Sequence, residues 1–158
     1  MNLGFKPIAA LLTLSTLAAH AAVGSGQASG TLVHKGKTVV LKYAYFIKGT
    51  NMGFPLRQVV LSTTDIGPAM AADSSLLTAG DRLREGIMVC VDAGKMLRYW
   101  MAISDQTEQV STMFPAKEFA ASANDANRIA GRLIFDHTRS GGPKVDVEFD
   151  AGLLKEFE

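Results

Sequence analysis

The sequence predicts an all-β fold, an antiparallel sandwich or small barrel of seven to eight strands with at most one short helix. Three observations predict it. The form Val-x-x-Gly-Lys occurs twice between apolar runs, as Val33-His34-Lys35-Gly36-Lys37 and Val91-Asp92-Ala93-Gly94-Lys95. That is hairpin grammar, because the Gly can take the left-handed conformation of a tight loop without steric cost. Near the end, Val145, Val147, Phe149, Ala151 and Leu153 alternate with Asp146, Glu148 and Asp150. Such alternation gives a strand one buried and one wet face. Only residues 66–85 break the strand pattern, which leaves room for a helix.

In chain order, Met1 to Lys6 form a short n-region with a single cation, and Ile8 to Ala19 form an apolar stretch. Ala19-His20-Ala21 then fits the small-x-small rule of signal peptidase. Residues 1–21 are therefore expected to be a signal peptide, and the exported chain, beginning at Ala22, to be periplasmic or secreted. The apolar stretch is shorter than the roughly 20 residues of a membrane span, and no later segment approaches that length. Residues 22–30, rich in Gly and Ser, are expected to be a flexible lead-in, and residues 31–158 a single β-domain.

A three-residue loop in the first hairpin places Thr31 and Val33 on one face with Val39, Leu41, Tyr43, Tyr45 and Ile47. Arg57 to Thr63 follows as a strand entered from Phe54-Pro55. Asp73 is expected to cap a short helix over Ser74 to Ala79, with Gly80 as its stop. The same loop length in the second hairpin pairs Val91 with Lys95, Val89 with Leu97 and Ile87 with Tyr99. Lys117 to Ala123 forms a strand, residues 124–127 a turn, and Arg128 to His137 a strand with Ile129, Leu133 and Phe135 on one face. Gly141-Gly142-Pro143 closes the last hairpin.

Composition excludes some functions. Removing residues 1–21 from 158 leaves 137, the size of one domain with a proper core. The chain has 16 Lys and Arg against 15 Asp and Glu, and Lys6 leaves with the signal, so the exported part is formally neutral. A nucleic-acid binder should show a basic excess, so nucleic acid is not an expected partner. Cys90 is the only cysteine, so no intramolecular disulfide can form. Its neighbours Ile87, Met88, Val89 and Val91 mark it as a small buried hydrophobe.

No catalytic motif is present. The histidines are His20, His34 and His137, too few and too scattered for a zinc site. There is no nucleophile elbow and no Gly-rich phosphate loop, so no metal or cofactor is expected. Asp146, Glu148 and Asp150 project from one strand face and could serve as a glycosidase-like acid pair or as calcium ligands. The simpler reading is a solvated face, because nothing nearby offers the apolar pocket that raises one pKa. Six methionines remain after export and four of them bracket Cys90, but they are spaced too sparsely for a Cu(I) site.

The strongest lead is the second hairpin. Residues 87–103 are apolar on both sides, with Ile87, Val89, Leu97, Tyr99, Met101 and Ile103 on one and Met88, Cys90, Met96 and Trp100 on the other. A half-buried strand should not look like this. Something must cover the second face: residues 66–85, a second subunit or partner, or a ligand held against Trp100 and Arg98. The candidate ligand- or partner-binding residues are Met88, Met96, Arg98 and Trp100, since Trp and Arg are enriched at binding hot spots.

Gly30-Thr31-Leu32 with Gly36-Lys37 and Leu41, and Ala130-Gly131-Arg132-Leu133 followed by Phe149-Asp150-Ala151, resemble a loose family of uncharacterised exported bacterial β-domain proteins. The resemblance implies an all-β secreted domain and assigns no residue a role. The expectation is an exported non-enzymatic β-domain that binds a partner protein or a small apolar ligand, as a monomer or homodimer. The rival is a carboxylate-dependent hydrolase or isomerase acting in a barrel mouth.

Overall fold

The structure, a computed structural model, describes residues 24–91, 96–103 and 106–158, with the side chains of Met96 and of residues 106–112 outside that description. The expected signal peptide and the Gly94 turn also lie outside the described residues. Nine strands form one mostly antiparallel sheet among the described residues: β1 (Gln27–His34), β2 (Lys37–Asn51), β3 (Phe54–Ser62), β4 (Gly86–Cys90), β5 (Met96–Ile103), β6 (Gln106–Pro115), β7 (Phe119–Asn124), β8 (Arg128–Asp136) and β9 (Lys144–Glu156), with one short parallel pairing between β2 and β9. Two short helices, α1 (Gly67–Ala72) and α2 (Leu76–Gly80), connect β3 to β4.

The all-β prediction holds, and the strand order separates barrel from sandwich. The order is β6-β5-β4-β3-β2-β1-β9-β8-β7, so nearly every strand pairs with its neighbour in sequence, and β9 returns to β1. Because every one of these neighbouring pairs is antiparallel, β6 and β7 must run in the same direction. The 3-10 turn Ala116–Glu118 joins them without reversing the chain. One continuous stretch thus pairs with β5 through its first half and with β8 through its second. The ring is an up-and-down barrel closed through the chain rather than by a β6–β7 ladder. Its interior is apolar and filled: Phe114 on β6 packs 4.9 Å from Phe135 on β8, and Tyr99 on β5 stacks on Phe135 at 5.3 Å. A void among Val59, Val89, Phe119 and Phe149 measures about 10 Å³, roughly one water.

A second core lies outside the wall. Tyr45, Ile47, Val60 and Ala102 face outward from β2, β3 and β5, where Met70, Leu76, Ala79, Leu83 and Phe157 cover them. Polar ties fix this cover. The Tyr45 hydroxyl donates to Asp65 at 2.6 Å, Ile66 N–H donates back to it at 3.1 Å, and Lys155 Nζ donates to the Ala71 and Asp73 carbonyls at 2.8 and 2.6 Å.

Several expectations are corrected. Strand β1 starts at Gln27, so residues 27–30 are not a flexible lead-in: they pair with β2 and β9. The described residues form nine strands and two short α-helices, against the seven to eight strands and at most one short helix expected. The first hairpin has a two-residue loop, since His34 pairs with Lys37, while Lys35 (φ 48°) and Gly36 (φ 79°) both take positive φ. That is the type I′ turn, whose twist matches the strands. The one-residue slip buries Leu32 and His34 and turns Thr31 and Val33 away. Beside the bulge between Gln27 and Gly30 the alternation in β2 changes phase, so Ala44 and Phe46 point inward while Tyr45 and Ile47 point to the helices. In the second hairpin Val89 pairs with Tyr99 and Ile87 with Met101. That is two residues from the expected register, an even shift that preserves both faces. Ser75, not Asp73, caps α2, accepting from Thr78 N–H at 3.3 Å, while Asp73 forms a bidentate pair with Arg82 at 2.9 and 2.7 Å.

Candidate functional site

Strands β3, β4 and β5 set side chains in rows across the outer wall. Gln58, Cys90 and Arg98 are aligned in one row, and Val60, Met88 and Trp100 in the next. Their neighbours Val59, Val89 and Tyr99 point into the barrel core, so both rows face outward. Helix α2 covers only part of this wall. Gly80 lets it lie close to Met88, since a Cβ there would stand 3.2 Å from the Met88 sulfur. Beyond that contact an open groove of about 750 Å³ runs between α2, the β2–β3 hairpin and β5. This is the volume range of small-molecule sites.

The groove is lined by apolar and polar surface in comparable shares. Leu56, Leu76, Leu83, Met88 and Trp100 line it. Its rim carries Met52, Phe54 and Leu77, which are 92%, 73% and 58% exposed. Three large apolar side chains left in water around one depression are unusual, because exposed apolar clusters mark interaction sites. The Met52-Gly53 tip is itself a type I′ turn (φ 51° and 81°), which holds a methionine in a conformation that favours glycine. On the floor Gln58 is 4% exposed. Its Nε2 donates weakly to Cys90 Sγ at 3.5 Å, and its buried Oε1 has no hydrogen-bond partner. The Arg98 guanidinium lies over the Trp100 ring at 6.0 Å. Arg84 and Asp81 stand at the α2 side.

Of the four residues singled out from sequence, Met88, Arg98 and Trp100 line this groove. Met96 opens β5 with its backbone paired to Pro115, and its side chain lies outside the described residues. Met88 stands opposite Trp100, and Arg98 stands opposite Cys90. The doubly apolar hairpin is covered in part by residues 66–85 and left open in part. Sequence reasoning missed Gln58 and Phe54 as groove residues, whereas residues 66–85 were among its candidate covers. Phe54 was legible only as a strand entrance, and Gln58 reads as an ordinary polar position until its burial is known.

The acidic row on β9 is differently employed. Asp150 forms a bidentate pair with Arg128 at 2.8 and 2.7 Å, and this guanidinium holds its carboxyl below the usual range. Asp146 pairs with Arg132 at 3.0 Å. The Asp150 pair favours the charged carboxylate, the opposite of what a general acid needs. No cluster of three metal-ligating side chains occurs among the described residues. No helix among the described residues is long and apolar enough to cross a membrane. Comparison with protein-family models, with curated proteins and with solved structures finds no match, so no residue inherits a role from a relative.

Proposed function

We propose that this chain is an exported, non-enzymatic binding domain that holds the apolar part of a small ligand in the groove on its outer wall. One observation carries the reading: about 750 Å³ of open groove, lined by apolar and polar surface together, on the outer wall of a barrel packed inside with apolar side chains. A filled barrel supplies a rigid wall, and the ligand surface is added outside it by α2 and the β2–β3 tip. The ion-paired state of Asp146 and Asp150 favours this reading over carboxylate hydrolysis.

Trp100 is the only tryptophan, so its emission reports the groove directly. Titration with 1-dodecanol should give a saturable blue shift. The double variant Phe54→Ser, Leu77→Ser removes apolar rim surface at exposed positions and should weaken that binding roughly tenfold, which corresponds to about 1.4 kcal/mol. Absence of any saturable change would end the reading. Export is tested separately by N-terminal sequencing of the periplasmic or secreted product, which should begin at Ala22.

A further inference from the structure

Resting on that groove reading, we infer that the preferred ligand is an anionic amphiphile with a hydrogen-bond donor next to its head, the chemistry of an N-acyl amino acid. Two independent features select this class. The first is charge. Arg98 and Arg84 line the groove against a single acid, Asp81. Among the described residues neither arginine has a carboxylate within ion-pair distance, whereas the neighbouring Arg82 is already held by Asp73 at 2.7 Å. Arg98 is held over Trp100 at 6.0 Å, which orients a planar fork of donors at the groove's edge before any ligand arrives.

The second feature is the floor. Gln58 is 4% exposed, yet its Oε1 has no partner, and its one hydrogen bond is a weak one to sulfur. A buried amide oxygen left unpaired is costly, and a domain under no other constraint would place an aliphatic residue there. The same row across β3, β4 and β5 carries Gln58, Cys90 and Arg98. With strands about 4.8 Å apart, the Gln58 and Arg98 backbones lie roughly 10 Å apart, a span the long arginine side chain shortens. A ligand whose carboxylate sits on Arg98 therefore brings the group next to that carboxylate towards Gln58. An amide N–H in that position donates to Oε1 once the Gln58 amide, enclosed in the free protein, turns to present that oxygen to the groove, while the acyl chain runs over Met88 towards Leu76 and Leu83.

The test is a ligand series read by Trp100 emission, with every compound below its micelle concentration. N-Lauroylglycine carries the carboxylate and the N–H. N-Lauroylsarcosine replaces that N–H with N-methyl, N-lauroylglycinamide replaces the carboxylate with a neutral amide, and 1-dodecanol has neither. N-Lauroylglycine should bind about tenfold tighter than the sarcosine and glycinamide analogues, and tighter still than dodecanol. In Arg98→Gln the glycine and glycinamide compounds should bind alike. In Gln58→Leu the glycine and sarcosine compounds should bind alike; if that variant fails to fold, the wild-type series still decides. Equal affinity of all four compounds overturns the inference and leaves the apolar groove standing. Binding of none, dodecanol included, overturns the groove reading itself. Equal binding of the glycine and sarcosine compounds overturns the role of Gln58, and equal binding of the glycine and glycinamide compounds overturns the role of Arg98.

Discussion

At the scale of single residues, two glycines separate two kinds of constraint. Gly36 has φ +79° in the first hairpin and open space where a Cβ would stand. Replacing it with Ala introduces backbone strain alone, on the order of 1 kcal/mol. Gly86 has φ +147° at the start of β4, and a Cβ there would collide with the Leu61 carbonyl of the paired strand. Gly86→Ala should therefore cost about 2–3 kcal/mol, combining strain with a clash that only backbone movement relieves. Thermal denaturation of the two variants checks the order, and a Gly36 variant as damaged as the Gly86 one would contradict it. The positive φ of Gly36 was legible in the sequence because turn chemistry is local. The role of Gly86 was not, because the obstacle is a carbonyl on β3, distant in sequence. Gln58 was illegible for the same reason. A glutamine between Arg57 and Val59 looks solvated until three strands are laid side by side.

At the scale of elements, the β3–β4 connection shows what sequence patterning can and cannot give. The failure of strand alternation over residues 66–85 correctly marked a helical interruption beside a hairpin apolar on both faces. Its docking could not be read, because it depends on ties from distant strands. Tyr45 on β2 is the clearest of these. Burial first, and then its hydrogen bond to Asp65, push the phenol up to about 12. In the unfolded chain the phenol titrates near 10. The folded state thus binds the proton more tightly, so this contribution to stability is complete below about pH 10 and is lost as pH rises towards 12. Tyr45→Phe should be less stable than the wild type at neutral pH by roughly 1 kcal/mol, the net worth of a hydrogen bond. The difference between the two proteins should shrink above pH 10, measured as paired denaturant midpoints. A constant difference up to pH 12 would show that the hydroxyl does not hold this segment. An acid counterpart exists at Asp150, whose carboxyl Arg128 holds below its ordinary range. Its contribution is present above about pH 4 and is lost as pH falls through the lowered folded value.

At the scale of the whole molecule, hairpin grammar and alternation made the antiparallel sheet legible but not its closure. Register slips of one and two residues in the hairpins left the fold class intact, because each strand still paired with its chain neighbour. Closure depends on residues 115–119, where Pro115 and a single 3-10 turn carry the chain from one sheet edge to the other without reversal. Nothing in the local sequence distinguishes that from an ordinary hairpin. The consequence is an uneven barrel. Strand β1 is hydrogen-bonded on both sides, to β2 and β9, whereas among the described strands β7 is bonded to β8 alone and is interrupted by a bulge between Ala121 and Ala123. Side chains at the seam carry the closure instead, through Phe114, Phe135 and Tyr99 inside and His137 stacked on Phe135 at 4.6 Å. Opening should therefore begin at β7, since local stability follows buried contacts and paired amides. Native-state hydrogen exchange should find the amides of residues 119–124 the fastest among the described strands, and those of β1 among the slowest. Phe135→Ala should accelerate exchange in β7 more than in β1, because it removes the ring that bridges the seam. Equal protection of β7 and β1 would mean that a backbone ladder, within the molecule or from a second copy, closes the barrel there.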